Sequence, residues 1–192
     1  MQRKKLHFGY HLFMVLKIII TLALAFYVLF VSNDFLFHKF HVDQYTSLVF
    51  LPSGARVLFS IVFESNGAIG LALGSLLVSF FYIHEPSTAV IIGNAVASGV
   101  GAFAARELCV RILDLEVYLH QITLKQIMYA SIIYSVINTL LHQSIFNFLE
   151  KNDAFFLRSG QMLIGDLLGA LIFLMLLRLF MQAYFYIMKK RR

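Results

Sequence analysis

The chain has 192 residues, of which 60% are hydrophobic and only 14% charged, with a formal net charge of +6. A mean hydropathy of +0.80 is more apolar surface than a water-soluble domain of this size can cover, which excludes a soluble globular protein and makes a bilayer the expected solvent. A hydrocarbon core about 30 Å thick needs about 20 apolar residues per helix, and several stretches reach that length. The expected fold is therefore an all-α integral membrane protein, a single transmembrane domain over 1–192 with basic tails at 1–11 and 189–192.

The first apolar run, 12–32, follows the basic stretch MQRKKLHFGYH. It is too long for a signal-peptide core and lacks a small-residue cleavage site, so it is expected to remain as a span. Lys17 lies close enough to the start of this span to snorkel back, and His7 and His11 sit at headgroup level. Five more segments follow at about 46–63, 67–83, 88–110, 125–148 and 160–188. The second and third are separated only by Glu64, Ser65 and Asn66, which requires a tight hairpin or a re-entrant unit. Six segments give a six-helix bundle with both termini on one side.

That side is expected to be the cytoplasm, in a bacterial inner membrane. Arg3, Lys4 and Lys5 lie at one end, Lys189, Lys190, Arg191 and Arg192 at the other, and Arg106, Arg111 and Lys125 flank the connection between the fourth and fifth spans. The outer connections are then 33–45, 84–87 and 149–159. Basic residues placed this way orient the chain and meet anionic headgroups, so the positive charge does not argue for nucleic acid. Glu64 and the Arg106/Glu107 pair fall near the cytoplasmic face, where they snorkel or pair locally.

Small residues mark close helix packing. Gly93, Ala97, Gly101 and Ala105 recur every four residues, as do Gly70 with Gly74 and Gly165 with Gly169. Such stripes let helix backbones approach where lipid and Leu are equally apolar. Packing within one compact bundle is the expected use, ahead of a dimer face.

The stretch LPSGARVLFS (51–60) departs from this pattern. Pro52 has no N–H and Gly54 accepts strained dihedrals, so the second helix is expected to be interrupted there. Backbone groups freed at that depth must be buried in protein or line a wet cavity. A half-helix starting near Ser53 would point N–H groups outward, and Arg56 in its first turn adds a charge that attracts anions. With both termini inside, Arg56, Asn94, Asn138, His142 and Asp166 fall within roughly 10 Å of one depth at 1.5 Å rise per residue. Gln143 lies beside them. Arg56 and Asp166 are the expected ion pair, with Asn94, Asn138 and His142 as hydrogen-bonding neighbours. Two readings of this layer stand: it fixes helix register, or it forms an outward-facing pocket for a small ligand or ion.

Other chemistry is sparse. His38, His41, His84 and His142 are too scattered to form a compact metal motif, and the single Cys109 reads as a packing residue, so neither metal nor cofactor is expected. Ser53 has no neighbouring base, and no metalloprotease, nucleophile-elbow or P-loop pattern occurs, so the chain is not expected to be an enzyme.

The order LPSGAR (51–56), GLALGSLLVSF (70–80), IGNAVASGVGAFAAREL (92–108) and IGDLLGAL (164–171) resembles the MASE-type membrane-associated sensor domains of bacteria. These carry an early Pro-x-Gly element, a central Gly-Asn helix and a late Gly-Asp-x-x-Gly element. The resemblance covers residues 47–180 and implies a sensory module that joins a cyclase, phosphodiesterase or histidine kinase output; it implies no particular ligand. The chain departs from the family in having six spans where eight are common, and in Met162-Leu163-Ile164 where aromatic residues usually precede Gly-Asp. It also has no output domain after Arg192, so the expectation is a free-standing sensor acting through a partner protein, or a truncated one. The competing expectation is a substrate-binding membrane subunit of an energy-coupling-factor vitamin transporter, which also has six spans and about this length. A third is an assembly factor whose polar layer is purely structural.

Overall fold

The computed structural model of the protein describes residues 2–42, 46–85, 87–113, 123–150 and 154–190. Parts of the expected connections 33–45, 84–87 and 149–159, much of the segment joining the fourth and fifth spans, and Arg191 and Arg192 of the basic tail lie outside the described residues. So do the side chains of Arg3, Lys4, Lys5, His7 and Lys190. The elements are α1 (Gln2–Phe37), a 3-10 turn (His38–Phe40), α2 (Pro52–Leu77) with a π-helical continuation (Val78–Tyr82), α3 (Thr88–Leu113), α4 (Leu124–Glu150) and α5 (Phe155–Lys190). Among the described residues there is no strand, only an isolated bridge between His41 and Ser47.

Among the described residues, five helices are long and apolar enough to cross a membrane: Tyr10–Phe40, Pro52–Tyr82, Thr88–Leu113, Leu124–Leu149 and Phe155–Lys189. Their outer faces carry exposed Leu, Ile, Val, Phe and Met, while Arg56, Asn94, Asn138, His142, Gln143, Asp166 and many serines are buried. Apolar outside and polar inside is the pattern of a multi-pass membrane protein.

Helix α2 is not straight. Glu64 has φ 52° and ψ −129°, outside the helical region, and divides it. The carbonyl of Phe59 lies where a side chain on Gly67 would go. Along a straight helix eight residues span about 12 Å, so the chain reverses at Glu64. The first limb of α2 is the centre of the molecule: Pro52–Val57 and Phe59–Ile61 are all buried. The second limb packs on α1, with Gly70 against Leu22 and Gly74 against Ala23 and Phe26, and on α3, where Gly99 meets Ala72. The stripe on α3 faces α4: Gly93 meets Ile145 and Gly101 meets Leu141, with Ala97 and Ala105 buried along the same line.

The residues before α2 correct two expectations. Residues 46–51 are not helical, so Pro52 does not interrupt a helix; it starts one. Pro is suited to that position because its fixed φ is helical and its missing N–H would have no intrahelical partner anyway. Gly54 has no positive φ and is not a break; its place is explained by the Phe173 side chain of α5, which a Cβ there would meet at 2.5 Å. The stripe on α5 also has a different use. A Cβ on Gly165 would run into the carbonyl of Ser47, and one on Gly169 into the carbonyl of Phe50. These glycines therefore form a trough for non-helical chain, not for another helix.

Non-helical backbone inside a bilayer must have its polar groups met by protein. Here Leu48 N–H donates to Phe40 O (2.9 Å), Phe50 N–H to Gly165 O (3.1 Å) and Leu51 N–H to Asn33 Oδ1 (2.9 Å). The trough brings Gly165 O within reach, and Asn33 in the last turns of α1 supplies the remaining acceptor.

Candidate functional site

The non-helical segment and the start of α2 place Arg56 opposite Asp166 of α5. Arg56 Nη1 lies 3.6 Å from Asp166 Oδ1, with both side chains nearly inaccessible. The other carboxylate oxygen accepts from Asn138 Nδ2 at 2.5 Å. Ser53 Oγ lies 2.6 Å from the Asp166 backbone O and 2.7 Å from Phe50 O, joining the first turn of α2 to the trough. Phe26 and Phe50 rings lie over the guanidinium carbon, at 5.5 and 5.1 Å to their centroids. The charge is thus held by one carboxylate and two aromatic faces, as a cation in a low-dielectric site requires.

Beside this pair lies a cavity of about 50 Å³. Arg56, Asp166, Asn94 and His142 line it, with Ser47, Ser75 and Ser79 adding hydroxyls and Phe26, Phe30, Phe50, Phe146, Val78, Ile83 and Met162 the apolar wall. Asn94 Nδ2 donates to Ser79 Oγ (3.4 Å), and Ser75 Oγ to the Asn94 carbonyl (3.3 Å). His142 Nε2 is 3.3 Å from Ser98 Oγ. Of the five residues picked from sequence, four line this cavity and the fifth, Asn138, bonds to Asp166. Gln143 does not line it; its Nε2 lies 3.3 Å from Met162 Sδ.

Hydrogen-bonding capacity around the cavity is incomplete. Arg56 Nε and Asn94 Oδ1 are buried without a hydrogen-bond partner, and Arg56 Nη1 has only its 3.6 Å contact to Asp166. Buried polar groups are satisfied in the great majority of cases, so an unbonded donor and an unbonded acceptor on two residues that line one cavity single it out as the candidate site.

The α2 N-terminus offers nothing further to an anion. Ser53 N–H and Gly54 N–H are bonded to Phe50 O and Leu51 O, and Leu51 N–H to Asn33. The expected anion-attracting half-helix end is therefore already occupied by the chain itself.

The scattered histidines do not converge. His41 Nδ1 pairs with Asp34 Oδ1 at 3.2 Å, His84 Nδ1 lies 3.0 Å from Tyr82 O, and His142 is in the cavity. Among the described residues no group of His, Cys, Asp and Glu could hold a metal ion. Asp34 also accepts from Tyr82 OH at 2.5 Å, and Phe30, on the cavity wall, meets both Phe50 and Tyr82 edge-on. At the far end of the first limb of α2, Arg106 Nη2 lies 2.9 Å from Glu64 and Nη1 2.5 Å from Glu107.

Sequence reading missed Asn33, Ser47, Ser75, Ser79 and Ser98. Asn33 falls in the expected outer connection 33–45, whereas α1 continues to Phe37. Ser75 and Ser79, four apart on one helix face, were the available signal.

Compared with family models, with curated proteins and with solved structures, the chain finds no match in any of the three.

Proposed function

We propose that this protein is a non-enzymatic, sensor-like or scaffold module of a bacterial inner membrane, which takes a small signal at the Arg56/Asp166 layer and acts on a partner protein at its cytoplasmic end. The reading rests on one observation: a charged pair sealed inside the bundle borders a cavity whose donors and acceptor are not all used. A layer that only fixed helix register would be expected to close on itself. The resemblance to MASE-type sensors adds the expectation of a cyclase, phosphodiesterase or kinase as the output.

In this reading the membrane is crossed six times, with both termini inside. The first limb of α2, residues 52–63, is about 18 Å long at 1.5 Å per residue and too short to cross alone. Non-helical residues 46–51 make up the remaining depth, so the crossing is part irregular chain and part helix, and the reversal at Glu64 returns the chain outward. The start of α2 at Pro52 then sits at mid-depth, where the cavity is.

A vitamin-capturing transport subunit is the competing reading. Drug-sized ligands occupy pockets of about 300–1,000 Å³, several times the cavity beside Arg56 and Asp166, which argues against a vitamin at this layer. Affinity purification from native membranes in mild detergent tests the choice. The expected result is recovery of a signalling output protein or another membrane complex. Recovery of a paired ATPase together with tight vitamin binding overturns it.

A further inference from the structure

From the cavity's unpaired groups and its charge we infer that it binds a small, neutral, planar molecule carrying both a carbonyl acceptor and an N–H donor, of the primary amide or urea class. The inference rests on the reading of the layer as a ligand site and specifies what enters it.

Three observations fix the chemistry. First, the unbonded groups are complementary: Arg56 Nε needs an acceptor, since Nη1 already has Asp166 Oδ1 at 3.6 Å, and Asn94, bonded to Ser79 through Nδ2, has Oδ1 open to a donor. A single molecule that meets both must accept at one end and donate at the other. Second, the Phe26 and Phe50 rings lie 5.5 and 5.1 Å from the guanidinium carbon, and an sp² oxygen approaching in the guanidinium plane suits its N–H edge. Third, the charge is already balanced. Arg56 and Asp166 face each other at 3.6 Å, and the α2 N–H groups that would welcome an anion are bonded within the chain. A carboxylate or phosphate would leave a net negative charge buried in apolar surroundings, which is costly. A neutral ligand avoids that cost and leaves the ion pair in place.

Size agrees. A cavity of about 50 Å³ takes a molecule of a few heavy atoms or a small cluster of waters, and nothing near a nucleoside or vitamin. Water also donates and accepts, so the experiment must separate a resident water cluster from a bound solute.

The test uses the full chain in lipid nanodiscs, with acetamide and urea as neutral probes and formate as the charged one, read by saturation-transfer NMR titration. The expected result is saturable binding of acetamide and urea, weakened at least tenfold by Asn94→Leu, which removes the acceptor, and by Ser79→Val, which narrows the cavity without touching the ion pair. Ser131→Ala, buried on α4 away from the cavity, should leave binding unchanged. Absence of saturable binding to the wild type means that the cavity holds only water and overturns the inference. So does binding that both variants leave intact, or formate binding as tightly as acetamide. If Asn94→Leu does not fold, Ser79→Val alone decides. Probe binding without a recovered signalling partner would sink the sensor reading and leave the site standing; a partner without probe binding would do the reverse.

Discussion

Removing Arg56 and Asp166 one at a time should not cost the same. At 3.6 Å, with an effective permittivity of about 20, the attraction between them is roughly 4–5 kcal/mol. Breaking a buried pair by deleting one member typically costs about 3–5 kcal/mol, because the survivor keeps an uncompensated charge. The survivors differ. In Arg56→Gln the carboxyl retains Asn138 and can neutralise itself by taking a proton. In Asp166→Asn the guanidinium stays charged, with a neutral amide in place of its carboxylate, Nε still unbonded and the Phe26 and Phe50 rings beside it. We therefore expect Asp166→Asn to destabilise by about 3–5 kcal/mol and Arg56→Gln by about 1–3 kcal/mol. The double variant should fall well short of their sum, by about 2 kcal/mol, because neither charge is then stranded. Reversible unfolding in mixed micelles of rising SDS fraction measures all three against wild type. A double variant no milder than the sum of the singles would refute the ion pair, and equal costs for the singles would refute the account of what each survivor retains.

Two further substitutions probe the frame of the site. Gly165→Ala and Gly169→Ala push a Cβ into the carbonyls of Ser47 and Phe50, and should each cost about 1–3 kcal/mol by thermal unfolding in detergent. Gly160→Ala, with nothing within 4 Å, should instead stabilise by up to about 1 kcal/mol through helix propensity; equal behaviour at all three positions would contradict the trough. At the reversal, Glu64→Gly relieves a backbone strain of about 1–3 kcal/mol while losing an exposed ion pair to Arg106 worth about 1 kcal/mol or less. Net stabilisation is expected, and a clear loss of stability would show that the Arg106 contact holds the turn.

What the sequence made legible was set by cost. Arg56, Asp166, Asn94, Asn138 and His142 stand out because each is expensive in an apolar run, and matching their depths along the spans needs only the helical rise. The reversal after Phe63 is equally visible, because a polar Glu-Ser-Asn triplet separates two apolar runs. The trough was not legible. A Gly-x-x-x-Gly pair says that a backbone approaches closely, without saying whether that backbone is helical, and on α5 it is the non-helical chain before α2. Pro52 was ambiguous for a related reason: a proline within an apolar stretch reads alike as a kink or as a helix start, until the residues before it are seen to be non-helical. Ser47, Ser75, Ser79 and Ser98 carry no cost large enough to notice singly, and the placement of the first three around one cavity, with Ser98 behind His142, is a tertiary fact.

These contacts also bear on how occupancy of the cavity would be felt elsewhere. Asp166 meets α2 through Arg56 and through Ser53, and α4 through Asn138, while Gly165 one residue earlier receives Phe50 N–H from the non-helical segment. Four attachments fall within about one turn of α5, and the helix then continues unbroken to Lys190. Beyond Leu174 its residues are only partly buried or exposed, so little protein packing holds that half in place. A molecule that bonds to Arg56 alters the pull on Asp166 at the fixed end, and a continuous helix carries a tilt or rotation made there to its far end. Under the proposed reading α5 is therefore the element through which the site reaches a partner, with the trough as its pivot.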